Sequence, residues 1–146
     1  MTTAANFPWL PELGYGRDAA TGCWRPGAER PPFPYTDGEH VEAELLALMQ
    51  ATADRSVLSP ALRAAIRDWP THYHLGPRRA NLLRPLGDWL RGRAVLEIGA
   101  GCGAMTRYLG ECGARVLALE GSPRRAAVVA PVTDRIRIIG MMNSPA

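Results

Sequence analysis

A glycine-rich turn with an acidic residue on each side contains the residues best suited to chemistry. Gly99, Gly101 and Gly103 alternate directly after the apolar run 94–98, and a segment with helical character follows. A strand, a glycine turn and a helix can bring backbone N–H groups close to a ligand with no side chain in the way. The pattern therefore predicts a turn that binds a nucleotide or nucleoside.

Two glutamates bear on the kind of ligand. Glu97 precedes the first glycine, where its carboxylate would repel a pyrophosphate and attract a cationic sulfonium or amino group. Glu120 ends a second apolar run, 115–119, and lies 21 positions beyond Gly99, where an acid can hold both hydroxyls of a ribose. The glycine spacing is common to dinucleotide-binding proteins and S-adenosylmethionine (SAM)-binding proteins, and Glu97 favours SAM. A turn without a ligand and a solvated Glu120 are the structural alternatives.

Three segments resemble known enzymes. They are residues 95–111, 116–122 and 73–86. The first two resemble the first half of a class I SAM-dependent methyltransferase. The third is similar to the helix before that half in bacterial methyltransferases associated with polysaccharide and O-antigen glycosyltransferases. The resemblance covers about residues 69–127. It implies methyl transfer from SAM to an acceptor, with a sugar hydroxyl suggested by the glycosyltransferase association.

The resemblance also implies which residues bind the cofactor. Glu97 and the glycine turn would hold the methionine part of SAM, and Glu120 would hold the ribose. The full predicted cofactor set is Tyr73, Glu97, Gly99, Ala100, Gly101, Gly103, Glu120 and Gly121. No catalytic residue is identified. His74 is a candidate general base toward an acceptor hydroxyl, and the alternative is an aromatic loop, 72–74, that only fills a groove.

The strands and helices predicted around the glycine turn indicate an α/β fold with a partial Rossmann-like parallel sheet of about three strands. The predicted strands are 94–98, 115–119 and 134–139, with helices at 104–112 and 123–130. A helical and proline-rich N-terminal region precedes the sheet. The chain is divided into an extended arm rich in proline, glycine and aromatic residues (1–35), a helical lead-in region (36–91) and a truncated SAM-binding half-domain (92–146).

The lead-in region contains recognisable helix ends. Thr36 and Glu39 form a capping-box pattern that predicts a helix to about Ala53. Ser59-Pro60 predicts the start of a second helix, which Pro70 would end. A third helix is predicted from Pro77 to about residue 84. The arm has many prolines and no strand alternation, so we predict neither a helix nor a strand there.

Composition excludes several classes of function. The net charge of +3 is modest, and the arginine pairs 78–79 and 124–125 are predicted to be solvated, so we expect no nucleic-acid partner.

Three cysteines without a Cys-x-x-Cys pair predict reduced thiols and a cytoplasmic location. Cys102 is interpreted as filling the loop. No membrane span and no metal site are predicted. The expected partner is a small-molecule or glycan acceptor.

The resemblance covers only half of a class I domain, which has seven strands against the three predicted here. In that family the strand equivalent to 94–98 lies between the second and the fourth strands, so without the fourth strand its apolar edge would be uncovered. We expect, in this order, a truncated or frame-shifted chain, a partner chain or second copy that completes the sheet, or an arm that covers the edge. Catalysis by this form therefore stays open. The alternatives are a non-catalytic SAM-binding or interaction module and a NAD-dependent oxidoreductase.

Overall fold

In the described part of the chain, five strands and six α-helices form an α/β fold with a mostly parallel sheet. The predicted fold class is confirmed, with two strands more than the three expected. The computed structural model describes residues 7–28, 36–130 and 136–140. The strands are β1 (Tyr15–Arg17), β2 (Trp24–Pro26), β3 (Ala94–Ile98), β4 (Arg115–Glu120) and β5 (Ile136–Gly140). Their order across the sheet is β1-β2-β5-β4-β3, and all the pairings are parallel except that of β1 with β2.

The helices lie before and between the strands. The α-helices are α1 (Glu39–Ala51), α2 (Pro60–Ala64), α3 (Trp69–Leu75), α4 (Gly87–Leu90), α5 (Ala104–Glu111) and α6 (Pro123–Val129). Two 3-10 helices, Pro77–Leu82 and Arg84–Leu86, join α3 to α4. None of the helices in the described part of the chain is long and apolar enough to cross a membrane.

The strands β3, β4 and β5 follow the sequence prediction closely. Val95 pairs with Val116, and Val116 pairs in turn with Ile136, so the apolar runs are aligned side by side. A core made of residues from these strands and from α5 and α6 lies on one face of the sheet. Burial of branched apolar side chains on a parallel sheet stabilises this arrangement. The strands and the helices at 104–111 and 123–129 are thereby confirmed.

In the described chain, β3 has a neighbouring strand on one side only. Leu96 is 58% exposed and Ile98 is 78% exposed, although both are large apolar residues. The uncovered edge that the strand count predicts is therefore present among the described residues. The described part of the N-terminal arm, residues 7–28, does not cover it, because β2 pairs with β5 at the other side of the sheet, where Trp24 is opposite Ile139.

Part of the proline-rich arm is a hairpin, so the prediction that it contains no strand was wrong for residues 7–28. β1 and β2 pair antiparallel over three residues each, with Tyr15 opposite Pro26 and Arg17 opposite Trp24. Strands of three residues are too short to show an alternating pattern. Residues 1–6 and 29–35 of the arm lie outside the described residues.

Two predicted helix ends were also wrong. The Thr36 hydroxyl does not cap α1, because it accepts a hydrogen bond from the N–H of Gly38 at 3.0 Å, and Gly38 itself is the residue before the helix. Pro70 does not end a helix but lies in the first turn of α3, which the Asp68 side chain caps. A proline is tolerated there because the N–H that it lacks has no intrahelical partner. The 72–74 segment is consequently helical, not a loop.

Candidate functional site

A cavity of about 410 Å³ opens where β3 and β4 end. Its lining residues are Tyr73, His74, Ile98, Gly99, Gly101, Leu119, Glu120, Gly121 and Arg125. The carboxyl ends of parallel strands are the usual position of ligand sites in α/β sheets. Six of these nine residues were predicted from sequence. Three other predicted residues do not line the cavity: Glu97, which belongs to β3, and Ala100 and Gly103, which belong to the glycine turn.

Four N–H groups of the glycine turn are used in hydrogen bonds within the protein, contrary to the expectation from the motif. Gly99 and Ala100 both donate to the carbonyl oxygen of Leu119, at 2.9 and 3.0 Å. Gly101 donates to Oε2 of Glu120 at 2.7 Å. The N–H of Gly103 donates to the Ala100 carbonyl at 3.0 Å. A turn whose donors are used in this way is not a phosphate cradle.

The glycines are required by backbone conformation and by close packing. Gly99, Gly101 and Gly103 have φ values of +75°, +59° and +82°, which residues with a side chain rarely adopt. A Cβ atom on Gly103 would lie 2.8 Å from Cγ1 of Val129, so the start of α5 can approach α6 only with glycine here. Each glycine therefore has a structural reason that does not depend on a ligand.

Glu120 connects the glycine turn to the start of α6. Its Oε2 accepts from the N–H of Gly101 at 2.7 Å, and its Oε1 accepts from the N–H of Ser122 at 2.8 Å. The side chain is buried and also lines the cavity. A carboxylate has about four acceptor positions, so two backbone bonds leave room for hydroxyl donors.

Glu97 lies behind the turn and is only 8% exposed. Its Oε2 accepts a hydrogen bond from the Thr106 hydroxyl at 2.7 Å. Burial raises the pKa of Glu97 to about 7; the Thr106 bond opposes this shift and the charge of Glu120 adds to it. Near neutral pH this carboxyl is therefore close to half protonated, and a cation in the neighbouring cavity would favour its ionised form.

A largely buried ion-pair network adjoins the cavity, which two of its members, His74 and Arg125, also line. Nε2 of His74 lies 2.8 Å from Oδ2 of Asp37, and the same oxygen lies 2.8 Å from Nη2 of Arg125. Nε of Arg125 donates to Oε1 of Glu42 at 2.9 Å. His74 and Arg125 are both buried, so the prediction that Arg125 is solvated was wrong. His74 belongs to helix α3, and its contact with Asp37 holds its ring beside the glycine turn.

Sequence reasoning missed several residues of this site. Asp37 and Glu42 lie far in the sequence from their partners His74 and Arg125, and Thr106 lies nine positions from Glu97. No local pattern indicates these pairs. Ile98 and Leu119 could have been found, because they are the last apolar residues of two correctly predicted strands.

The cysteines and potential metal ligands show no second chemical site. Cys102 is buried, and this burial raises the pKa of its thiol well above the usual range, which agrees with a residue that fills the loop. Among the described residues, no three His, Cys, Asp or Glu side chains are close enough to hold a metal ion together.

No protein-family model matches the chain, and no curated protein matches it. A solved structure from Pyrococcus horikoshii, described as a "putative RNA methyltransferase", is similar at 18% sequence identity and a TM-score of 0.39. The match covers 68% of this chain and 48% of that one, so this chain spans about half the length of that structure. At this TM-score and identity the similarity identifies neither a family nor a reaction.

Proposed function

We infer that the cavity at the ends of β3 and β4 binds S-adenosylmethionine, and that methyl transfer is the activity of this site. The observation that carries the inference is the pair of buried carboxylates, Glu97 and Glu120, on the two sides of the glycine turn. Glu120 lines the cavity, where it can accept hydrogen bonds from ribose hydroxyls. Glu97 favours a cation nearby, which suits the sulfonium and amino groups of SAM.

The bonds of the glycine turn favour SAM over a nicotinamide dinucleotide. A pyrophosphate needs N–H donors, and the Gly101 donor is used by the Glu120 carboxylate. The negative charge of that carboxylate would further repel phosphate. Ile98 and Leu119 line the cavity and offer apolar contact to the adenosine part. The cavity is therefore better suited to a cationic nucleoside than to an anionic dinucleotide.

Methyl transfer makes few chemical demands on the protein. When bound, SAM supplies an activated methyl group on its sulfonium, so the chain has to orient the acceptor in line with the methyl carbon. A sugar hydroxyl, which the sequence resemblance suggests, would also need a base. His74 lines the cavity, but in the present conformation its ring is buried and held by Asp37. Its role as a base stays a prediction.

Calorimetric titration of the purified chain with SAM and, separately, with NAD tests this function. We expect saturable binding of SAM and none of NAD. Glu120→Gln should weaken SAM binding by about 10- to 100-fold, since a hydrogen bond to a charged group contributes about 1.5–3 kcal/mol. Glutamine is chosen because it keeps one acceptor oxygen. Circular dichroism would show whether the variant is folded.

The matched control is Glu12→Gln, which removes an exposed carboxylate that does not line the cavity. This variant should bind SAM like the wild type. Failure of the folded wild-type chain to bind SAM, or preferential binding of NAD, would refute the proposed function. Equal SAM affinities of folded Glu120→Gln and the wild type would refute the ribose assignment alone.

A further inference from the structure

The open edge of β3 lies within a group of exposed apolar residues. In the described part of the chain ten large apolar side chains are exposed, and five of them lie between positions 82 and 98. Single exposed apolar residues are common on proteins, but a group at one edge is typical of a binding surface. We propose that this edge binds a second copy of the chain, whose own β3 pairs with it in antiparallel orientation.

The five exposed residues flank the edge on both faces of the sheet. Two of them belong to β3 and lie on the face opposite Val95. The other three precede the strand, in the two 3-10 helices and in α4, and this segment packs on the face of Val95, because Leu83 and Leu90 share a core with that residue. The five are Leu82, Leu86, Trp89, Leu96 and Ile98. A second copy at this edge would remove apolar surface from water, which favours association.

The backbone of β3 also directs hydrogen-bonding groups to this edge. The carbonyl oxygen of Arg93 accepts from the N–H of Arg115 at 2.8 Å, and the N–H of Gly99 donates to the carbonyl oxygen of Leu119 at 2.9 Å. Successive residues of a strand direct their N–H and C=O groups to opposite sides, so the odd-numbered residues bond to β4. The even-numbered residues direct theirs to the edge where the described chain offers no strand. They are Ala94, Leu96 and Ile98.

These outward groups are complementary to those of an identical strand. When Leu96 lies opposite Leu96 of the second copy, Ala94 lies opposite Ile98 at each end. Each of the three pairs can exchange two hydrogen bonds, which makes about six across the two-fold axis. Opposite residues project to the same face, so the paired side chains form one continuous apolar row. A strand of another protein would have to supply this pattern, whereas a second copy already has it.

The charges at the two ends of β3 favour the antiparallel orientation. Arg91 and Arg93 are exposed just before the strand, and Glu120 ends β4 beside the carboxyl end of β3. In the antiparallel pair the basic end of each strand meets the acidic end of the other. The two Arg93 residues would be six positions apart, about 20 Å, which is more than the Debye length at physiological salt. A parallel pair would place them side by side.

The same pairing would complete one side of the ligand cavity. Ile98 lines that cavity and is 78% exposed, so the cavity borders the open edge. Ala94 of the second copy, opposite Ile98, would lie at this border and restrict the access of water. Formation of the dimer requires no ligand. The dimer proposal therefore stands or falls independently of the proposed SAM binding.

Sedimentation velocity of the purified chain without ligand, over a series of protein concentrations, tests the dimer. We expect reversible association of the wild type. Leu96→Lys should weaken it by about 100-fold or more, because two like charges would face each other at the two-fold axis. Since Leu96 is 58% exposed, the variant should fold, and circular dichroism checks this.

The matched control is Leu13→Lys. Leu13 is 64% exposed and precedes β1, which lies at the opposite edge of the sheet. This variant should associate like the wild type. A wild type that stays monomeric at all concentrations would leave the edge to a strand of another protein, and it would overturn the proposal. Equal association of folded Leu96→Lys and the wild type would overturn it as well.

Disulfide cross-linking under mild oxidation tests the register. Leu96→Cys should form a reducible dimer, because the Cα atoms of a hydrogen-bonded antiparallel pair are about 5.5 Å apart, within the range of a disulfide. Ala94→Cys should not cross-link with itself, since its two copies would lie about 14 Å apart along the strands, but it should cross-link with Ile98→Cys. The wild type corrects for the native cysteines, of which Cys23 and Cys102 are buried. Cross-linking of Ala94→Cys alone as readily as Leu96→Cys would contradict the pairing.

Discussion

Replacing Glu97 by glutamine is expected to stabilise the protein above neutral pH. Burial raises the pKa of Glu97 from the usual 4.5 to about 7 in the folded state. Between these two values the folded protein holds more protons than the unfolded chain, so stability falls as the pH rises through this window. Each tenfold change in proton affinity corresponds to about 1.4 kcal/mol, so the full loss above pH 7 is about 3 kcal/mol.

Glutamine should avoid this loss while keeping the local structure. Its side-chain oxygen can still accept the hydrogen bond from Thr106, which is 2.7 Å long in the wild type. It cannot ionise, so it has no charged form to desolvate. Between pH 5 and pH 8 the wild type should therefore lose about 2.5 kcal/mol of unfolding free energy that Glu97→Gln does not lose. Comparing the two proteins at each pH cancels the contributions of the other titrating groups.

Urea unfolding followed by circular dichroism at pH 5 and pH 8 measures this difference. Glu12→Gln, an exposed carboxylate, should change neither value by more than about 0.5 kcal/mol. A constant difference between the wild type and Glu97→Gln at the two pH values would refute the argument, because Glu97 would then not titrate in this window. At pH 8 the stabilised variant should also bind SAM more weakly than the wild type, since Glu97 is needed as an anion there.

Two further substitutions test packing and charge. Gly103→Ala should lower the unfolding free energy by about 2–4 kcal/mol, because φ is +82° and the new methyl group would meet Val129. Its control, Gly99→Ala, has φ +75° but open space around the new methyl group, and should cost about 1–2 kcal/mol. Equal losses of unfolding free energy in urea for the two variants would contradict the packing argument. Arg125→Leu should cost about 3–5 kcal/mol, because it removes the buried guanidinium that pairs with Asp37 and with Glu42. Arg124→Leu, which removes a more exposed ion pair, should cost at most about 1 kcal/mol, and similar thermal unfolding of both leucine variants would count against the network.

The regular elements near the glycine turn were predictable because their causes are local. The apolar runs at 94–98 and 115–119 fit buried parallel strands, and Ser122-Pro123 fits a helix start, where the serine side chain accepts from the backbone N–H of Arg125. The N-terminal hairpin was not predictable from alternation, because each of its strands has three residues. Pro70 was misinterpreted because proline fits both the residue after a helix and the first turn of one.

The sequence by itself determined the α/β fold, the position of the glycine turn and the two glutamates beside it, because strand and turn preferences act over a few neighbouring residues. Only the tertiary structure decided how these groups are used. It engaged N–H groups of the turn in hydrogen bonds within the protein, raised the pKa of Glu97 by burial, and joined Asp37 to His74 and to Arg125, 88 positions away in the chain. Desolvation and long-range ion pairs depend on what surrounds a side chain in space, and the local sequence does not contain that information.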